Sequence, residues 1–85
     1  MKFYVYLLIT KKSDKIISYV GYTNDLKKRI SLHNTSKGAK FTRGRKWKMI
    51  YKHSYNTKSE AIKAEYKLKK DFLLRKKIKD KYLNE

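Results

Sequence analysis

A chain of 85 residues is one domain with a modest core, since a protein of this size buries only about 60–65% of the surface its unfolded form exposes. Its 24 Lys and Arg against seven Asp and Glu give a net charge of +17, a field that draws polyanions. A hydrophobic fraction of 40% with eight tyrosines argues against a disordered chain, and the lack of cysteine excludes a disulfide frame or a thiolate metal site.

Residues 3–9 alternate Phe3, Val5, Leu7 and Ile9 with Tyr4, Tyr6 and Leu8. A strand apolar on both faces is covered from both sides, so a central strand is predicted. The run is far too short to span a membrane, and no signal-peptide cleavage pattern follows it. The expectation is an intracellular protein of the cytoplasm, nucleoid or nucleus, with no membrane partner. A polar turn at 10–15 and a second strand at 16–22 complete a hairpin. Gly21, inside that strand, marks a bulge or a close backbone approach.

Thr23 or Asn24 then caps a helix with Asp25 in its first turn, where negative charge suits the macrodipole. Leu26, Ile30 and His33 form its inward stripe, and Arg29 stands four residues before His33 on one flank. Residues 34–46 carry no sustained period and predict a long basic surface loop. Trp47 to Tyr55 reads as a third strand. Thr57-Lys58-Ser59-Glu60 is a capping box that opens a helix over about 58–72. A short basic helix over about 73–85 finishes a single α+β domain, residues 1–85, whose motif-bearing core is about 3–72.

Glu65 is the residue out of place. On the second helix it shares a stripe with Ala61, Leu68 and Phe72, the face that should pack on the sheet. An ionised carboxylate there is costly without a cation or strong hydrogen bonds. Two readings stand: a functional acid, or an i,i+4 pair with Lys69 at the margin of the stripe. Arg29 has the shape to grip a phosphate oxygen, and a neighbouring imidazole can accept a proton near neutral pH. Tyr6 and Tyr19 are ordinary core tyrosines when viewed alone. In the basic loop, Lys37, Lys40, Arg43, Arg45 and Lys46 are interleaved with Phe41 and Trp47, a pattern suited to tracking a nucleic-acid backbone and stacking on bases.

Tyr4-Val5-Tyr6, Tyr19-Val20-Gly21 continuing to Arg29, then His33, then Ala61 to Glu65 resemble the successive motifs of the GIY-YIG nuclease superfamily. Lys37 to Gly44 resembles the Lys-Gly-Ala-Lys-Tyr/Phe-Thr-Arg-Gly loop of its small stand-alone YhbQ-like branch. The similarity runs over about residues 3 to 70. It implies a three-stranded antiparallel sheet flanked by helices, and an endonuclease that hydrolyses nucleic-acid phosphodiesters, DNA ahead of RNA, with one divalent cation, Mg²⁺ or Mn²⁺. Carried over, Tyr6 and Tyr19 line the active site, Arg29 stabilises the phosphate, His33 helps deprotonate Tyr6 or the attacking water, and Glu65 holds the metal. Tyr4 replaces the glycine of the first motif, and the asparagine that some members carry near the C-terminus has no clear counterpart.

No recognition helix or zinc finger is present, so structure-selective or unselective cutting is expected. An ionised tyrosine as base predicts activity that rises towards alkaline pH. Two other functions remain open from the residues: a nucleic-acid-binding module that keeps the fold without turnover, and an interaction protein whose Lys-rich C-terminal helix docks on an acidic surface or anionic membrane. Oligomeric state, monomer or homodimer, is open.

Overall fold

The computed structural model describes residues 2–12, 14–34 and 46–84. In chain order the elements are β1 (Phe3–Lys12), β2 (Lys15–Thr23), α1 (Leu26–Asn34), β3 (Lys48–Tyr55), α2 (Lys58–Lys70) and α3 (Phe72–Leu83). The strands form one antiparallel sheet in the order β2-β1-β3. None of the described helices is long and apolar enough to cross a membrane.

The sheet is built around β1, as its two apolar faces require. Val5 and Leu7 face one way and pack with Val20 of β2 and with Ala61 and Leu68 of α2. Tyr6 and Leu8 face the other way and pack with Trp47, Tyr19 and the α1 residues Leu26 and Ile30. Residues 5–9 are all buried, and each fully buried aliphatic side chain contributes about 1.5–3 kcal/mol. α1 and α2 therefore cover opposite faces of one strand, and the position of each side chain in β1 decides which helix it meets.

β3 joins β1 with a register shift: Leu7 pairs with Tyr51, but Leu8 pairs with Met49. Ile50 is the extra residue, and both Ile50 and Tyr51 pack against the Val5/Leu7 cluster. A bulge of this kind turns two successive side chains towards one layer.

The helix ends are set by side chains. Asp25 caps α1, its Oδ1 accepting from the Lys28 amide at 3.1 Å, while Thr23 Oγ1 accepts from the Asp25 amide at 3.1 Å. The cap is thus one or two residues later than the sequence suggested, because Thr23 still belongs to β2. Thr57 caps α2 as expected, accepting from the Glu60 amide at 3.2 Å and donating to Glu60 Oε1 at 2.9 Å. α2 stops at Lys70, short of the expected 72. Asp71 closes it with its own amide on the Lys67 and Leu68 carbonyls and opens α3 by accepting from the Leu74 amide. The break shifts the helical phase, so Phe72 leaves the stripe of Ala61 and Leu68 and is 61% exposed.

Candidate active site

Gly21 decides how the site is assembled. Tyr6 pairs with Gly21 across β1 and β2, and its ring lies over the glycine. A Cβ on Gly21 would stand 2.6 Å from Tyr6 Cζ and closer still to the hydroxyl oxygen, which no real side chain tolerates. Of the two roles the sequence left for this glycine, close approach is the one the structure shows. The missing side chain lets the phenol reach across β2, an outer strand of the sheet.

At that point the α1 pair arrives. The Tyr6 hydroxyl lies 2.9 Å from His33 Nε2, and Arg29 Nε donates to the same oxygen at 3.4 Å. A guanidinium only donates, so the phenol accepts from Arg29; in the His33 tautomer with Nε2 unprotonated, the phenol donates its own hydrogen to the imidazole. Tyr19, on the same face of the sheet, shares the Arg29 guanidinium and sets its ring 5.1 Å from that of His33. The four-residue spacing of Arg29 and His33 places both on one phenol, as their common flank implied.

The electrostatics follow from this packing. Burial raises the Tyr6 phenol above its ordinary 10.0, against the opposing pull of Arg29. Burial, seconded by Arg29, lowers His33 below its ordinary 6.5. The hydrogen bond that Arg29 donates to Tyr6 raises Arg29 further and keeps it charged. At neutral pH the group is a neutral phenol and a neutral imidazole beside a fixed cation.

His33, with 0% exposure, has a consequence for stability. The unfolded chain binds a proton on this residue near 6.5, whereas the folded chain resists it. The stabilisation is whole above pH 6.5 and is lost as pH falls through the lower folded value. Thermal denaturation should show Tm falling on acidification below about pH 6.5, and a His33→Gln variant should lose that part of the fall.

Glu65 sits on α2, and its side chain is only 17% exposed. Its Oε1 lies 3.3 Å from Lys69 Nζ, the i,i+4 pair that formed one reading of this residue. Its charge is the smallest of the influences on the Tyr6 hydroxyl, after burial, Arg29 and Tyr19. Tyr6, Tyr19, Arg29 and His33 thus form one connected group, and among the described residues Glu65 shares no hydrogen bond with it.

Among the described residues no three His, Cys, Asp or Glu side chains cluster as a metal cage. Glu65 alone is the wrong donor set for a structural zinc. It fits a hard cation of the Mg²⁺ type, which keeps several waters and is held by one or two carboxylates together with substrate phosphates.

Of the expected nucleic-acid residues, Lys37, Lys40, Phe41, Arg43 and Arg45 lie outside the described residues. Lys46 is exposed, and its carbonyl accepts from the Thr10 hydroxyl at 2.6 Å. Trp47 was expected to stack on bases; it is instead 5% exposed, packed against Tyr6 and Leu8, with its amide bonded to Asn34 Oδ1 at 2.6 Å. An indole is the largest apolar side chain available, and this core of a small domain takes it. One residue the sequence reading passed over, Lys58, lines a cleft with Arg29. Its signal was a cation at the first position of a helix, where the macrodipole favours an anion.

The model of the GIY-YIG catalytic domain family matches residues 2–79. The UPF0213 protein YazA of Bacillus subtilis is 52% identical over 68 residues, and a UPF0213 protein of Bacillus velezensis is 50% identical over 68. Each of these alignments covers 79% of this chain, which spans 66% of the relative's own length. A UPF0213 protein of Bacillus pumilus is 46% identical over 81 residues, 94% of this chain and 79% of that protein. The solution NMR structure of a UPF0213 protein of Bacillus halodurans is 36% identical, covering 91% of this chain and 80% of that one, with a TM-score of 0.49. With its ordered tyrosines, arginine, histidine and glutamate inside a match that runs over nearly the whole domain, the chain belongs to the GIY-YIG family.

Proposed function

We propose that this protein is an endonuclease that hydrolyses nucleic-acid phosphodiester bonds, DNA ahead of RNA, with the help of one divalent cation. The observation that carries this reading is the Tyr6 hydroxyl, held between His33 Nε2 and Arg29 Nε with Tyr19 on the same guanidinium. A buried phenol needs one hydrogen-bond partner, which His33 supplies; packing does not call for a fixed cation on the same oxygen as well. Family membership supports the same chemistry.

In this mechanism water attacks the phosphorus in line with the leaving oxygen. Arg29 donates to the non-bridging oxygens, whose charge grows in the transition state. Tyr6 takes a proton from the water as it passes its own to His33. A preformed phenolate is not required, and burial makes one harder to form than the roughly 4 kcal/mol that a free tyrosine needs at pH 7. The depressed folded value keeps His33 unprotonated at neutral pH, so its ring nitrogen is open to a proton, at the cost of a weaker base. Glu65 would hold the cation, Mg²⁺ with Mn²⁺ as a substitute, which when bound neutralises charge on the leaving oxygen.

The test is cleavage of nicked, branched, flapped and plain duplex DNA by the purified chain with Mg²⁺ or Mn²⁺, followed against pH. With His33 as acceptor, kcat/KM should climb with pH to a midpoint below about 6.5 and stay level from pH 7 to 9. This replaces the alkaline rise that an ionised tyrosine alone would give. A rate still climbing towards pH 10 would return the role to the phenolate. No cleavage on any substrate with either metal would leave the second reading, a binding module whose Glu65 does no more than pair with Lys69.

A further inference from the structure

α1 and α2 cover opposite faces of the sheet, yet they share a cleft of about 350 Å³ around the end of β2. It is lined by Phe3, Tyr22, Thr23, Asn24, Arg29 and Lys58. Among the described residues no carboxylate pairs with either Arg29 or Lys58. Two cations from two helices thus face one open space, and no acidic side chain is among the described residues that line it.

Lys58 is exposed and is the first residue of α2. A positive charge there opposes the helix macrodipole, so it contributes nothing to holding the helix. Arg29 belongs at once to this cleft and to the phenol group, with its Nε on Tyr6. A guanidinium carries five N–H donors in a planar fork, of which Tyr6 and Tyr19 account for two. An anion in the cleft and one at the phenols would therefore both meet the Arg29 guanidinium. Two phosphates that close are consecutive on one strand and do not face each other across a groove.

We propose that the Arg29–Lys58 cleft binds the phosphodiester next to the one that is cut, on the same strand. The protein then takes hold of two successive linkages, and its substrate is a polynucleotide strand in preference to an isolated diester. The word "cut" rests on the nuclease reading; the anion site does not.

The test measures binding without turnover. A fluorescent oligothymidylate is titrated in EDTA over a salt series against the wild type, Lys58→Ala, Lys58→Arg and Lys63→Ala, the last an exposed lysine elsewhere on α2. Lys58→Ala should weaken binding roughly three- to tenfold near physiological salt and reduce the slope of log K against log salt by about 0.7, one single-strand phosphate. Lys58→Arg should restore the slope, and Lys63→Ala should leave it unchanged. Tm of Lys58→Ala should equal or exceed that of the wild type, which removes misfolding as the cause. In nuclear magnetic resonance spectra the Thr23 and Asn24 amides should shift on adding oligothymidylate, and Lys58→Ala should abolish those shifts. Saturation of the same amides by inorganic phosphate alone at equal concentration would replace the strand with a free anion as ligand. An unchanged slope for Lys58→Ala, or an equal loss for Lys63→Ala, would overturn the site. A chain that passes every one of these binding tests and cuts nothing would sink the nuclease reading and leave the cleft assigned.

Discussion

Glu65→Ala should lower the rate of phosphodiester cleavage about 10³-fold while the protein stays folded and bound to nucleic acid, the scale of losing a group that stabilises transition-state charge. The physical case lies in how little else Glu65 does. Its structural partner is Lys69, which is half exposed, and an exposed i,i+4 pair is worth about 0.3–0.5 kcal/mol. Tm should therefore move by no more than about 4 °C. Binding should tighten slightly, because one of the seven negative charges in a chain of net +17 is gone. Lys69→Ala separates the two readings. If Glu65 serves only the ion pair, the two variants have equally small effects; if it serves catalysis, Lys69→Ala keeps most of the activity. Cleavage by Glu65→Ala within about threefold of the wild type would reject Glu65 as a catalytic residue.

Gly21→Ala should damage both stability and turnover. The new methyl would lie 2.6 Å from Tyr6 Cζ, and Tyr6 cannot retreat without leaving His33 and Arg29. Overpacking of this kind costs about 1–3 kcal/mol, which in a domain of this size lowers Tm by roughly 5–20 °C. Activity measured below the new Tm should fall at least 10²-fold, since a displaced proton acceptor loses most of its contribution. Denaturation and cleavage assays on the same preparation check both halves. A variant with wild-type Tm and rate would mean that the phenol does not occupy the space over the glycine.

Much of this arrangement can be read from local sequence. The double apolar face of residues 3–9 made β1 central, Thr57 and Glu60 marked the start of α2, and the spacing of Arg29 and His33 put them on one flank. Each of these depends only on neighbours along the chain. What escaped depends on pairing between distant segments. That Gly21 lies under Tyr6 follows from the β1–β2 register, and that Ile50 is an extra residue follows from the β1–β3 register. The burial of Trp47 follows from a core that needed a large apolar group between β1 and Tyr19. Phe72 misled because Asp71 ends one helix and begins the next, and a single capping residue resets the phase on which a stripe is counted. Lys58 is one of 24 basic residues, and its place beside Arg29 follows from how α1 and α2 share the cleft at the end of β2.

Each of the five proposed catalytic side chains stands on a strand or a helix: Tyr6 on β1, Tyr19 on β2, Arg29 and His33 on α1, Glu65 on α2. For the nuclease proposed above, a scaffold so placed leaves the deformation to the nucleic acid. Smooth bending of duplex DNA carries an elastic cost of order 1–6 kcal/mol, whereas a nick, branch or unpaired flap bends almost freely. For an enzyme working in this way, the stiffness of the polynucleotide, more than the identity of its bases, selects where it acts.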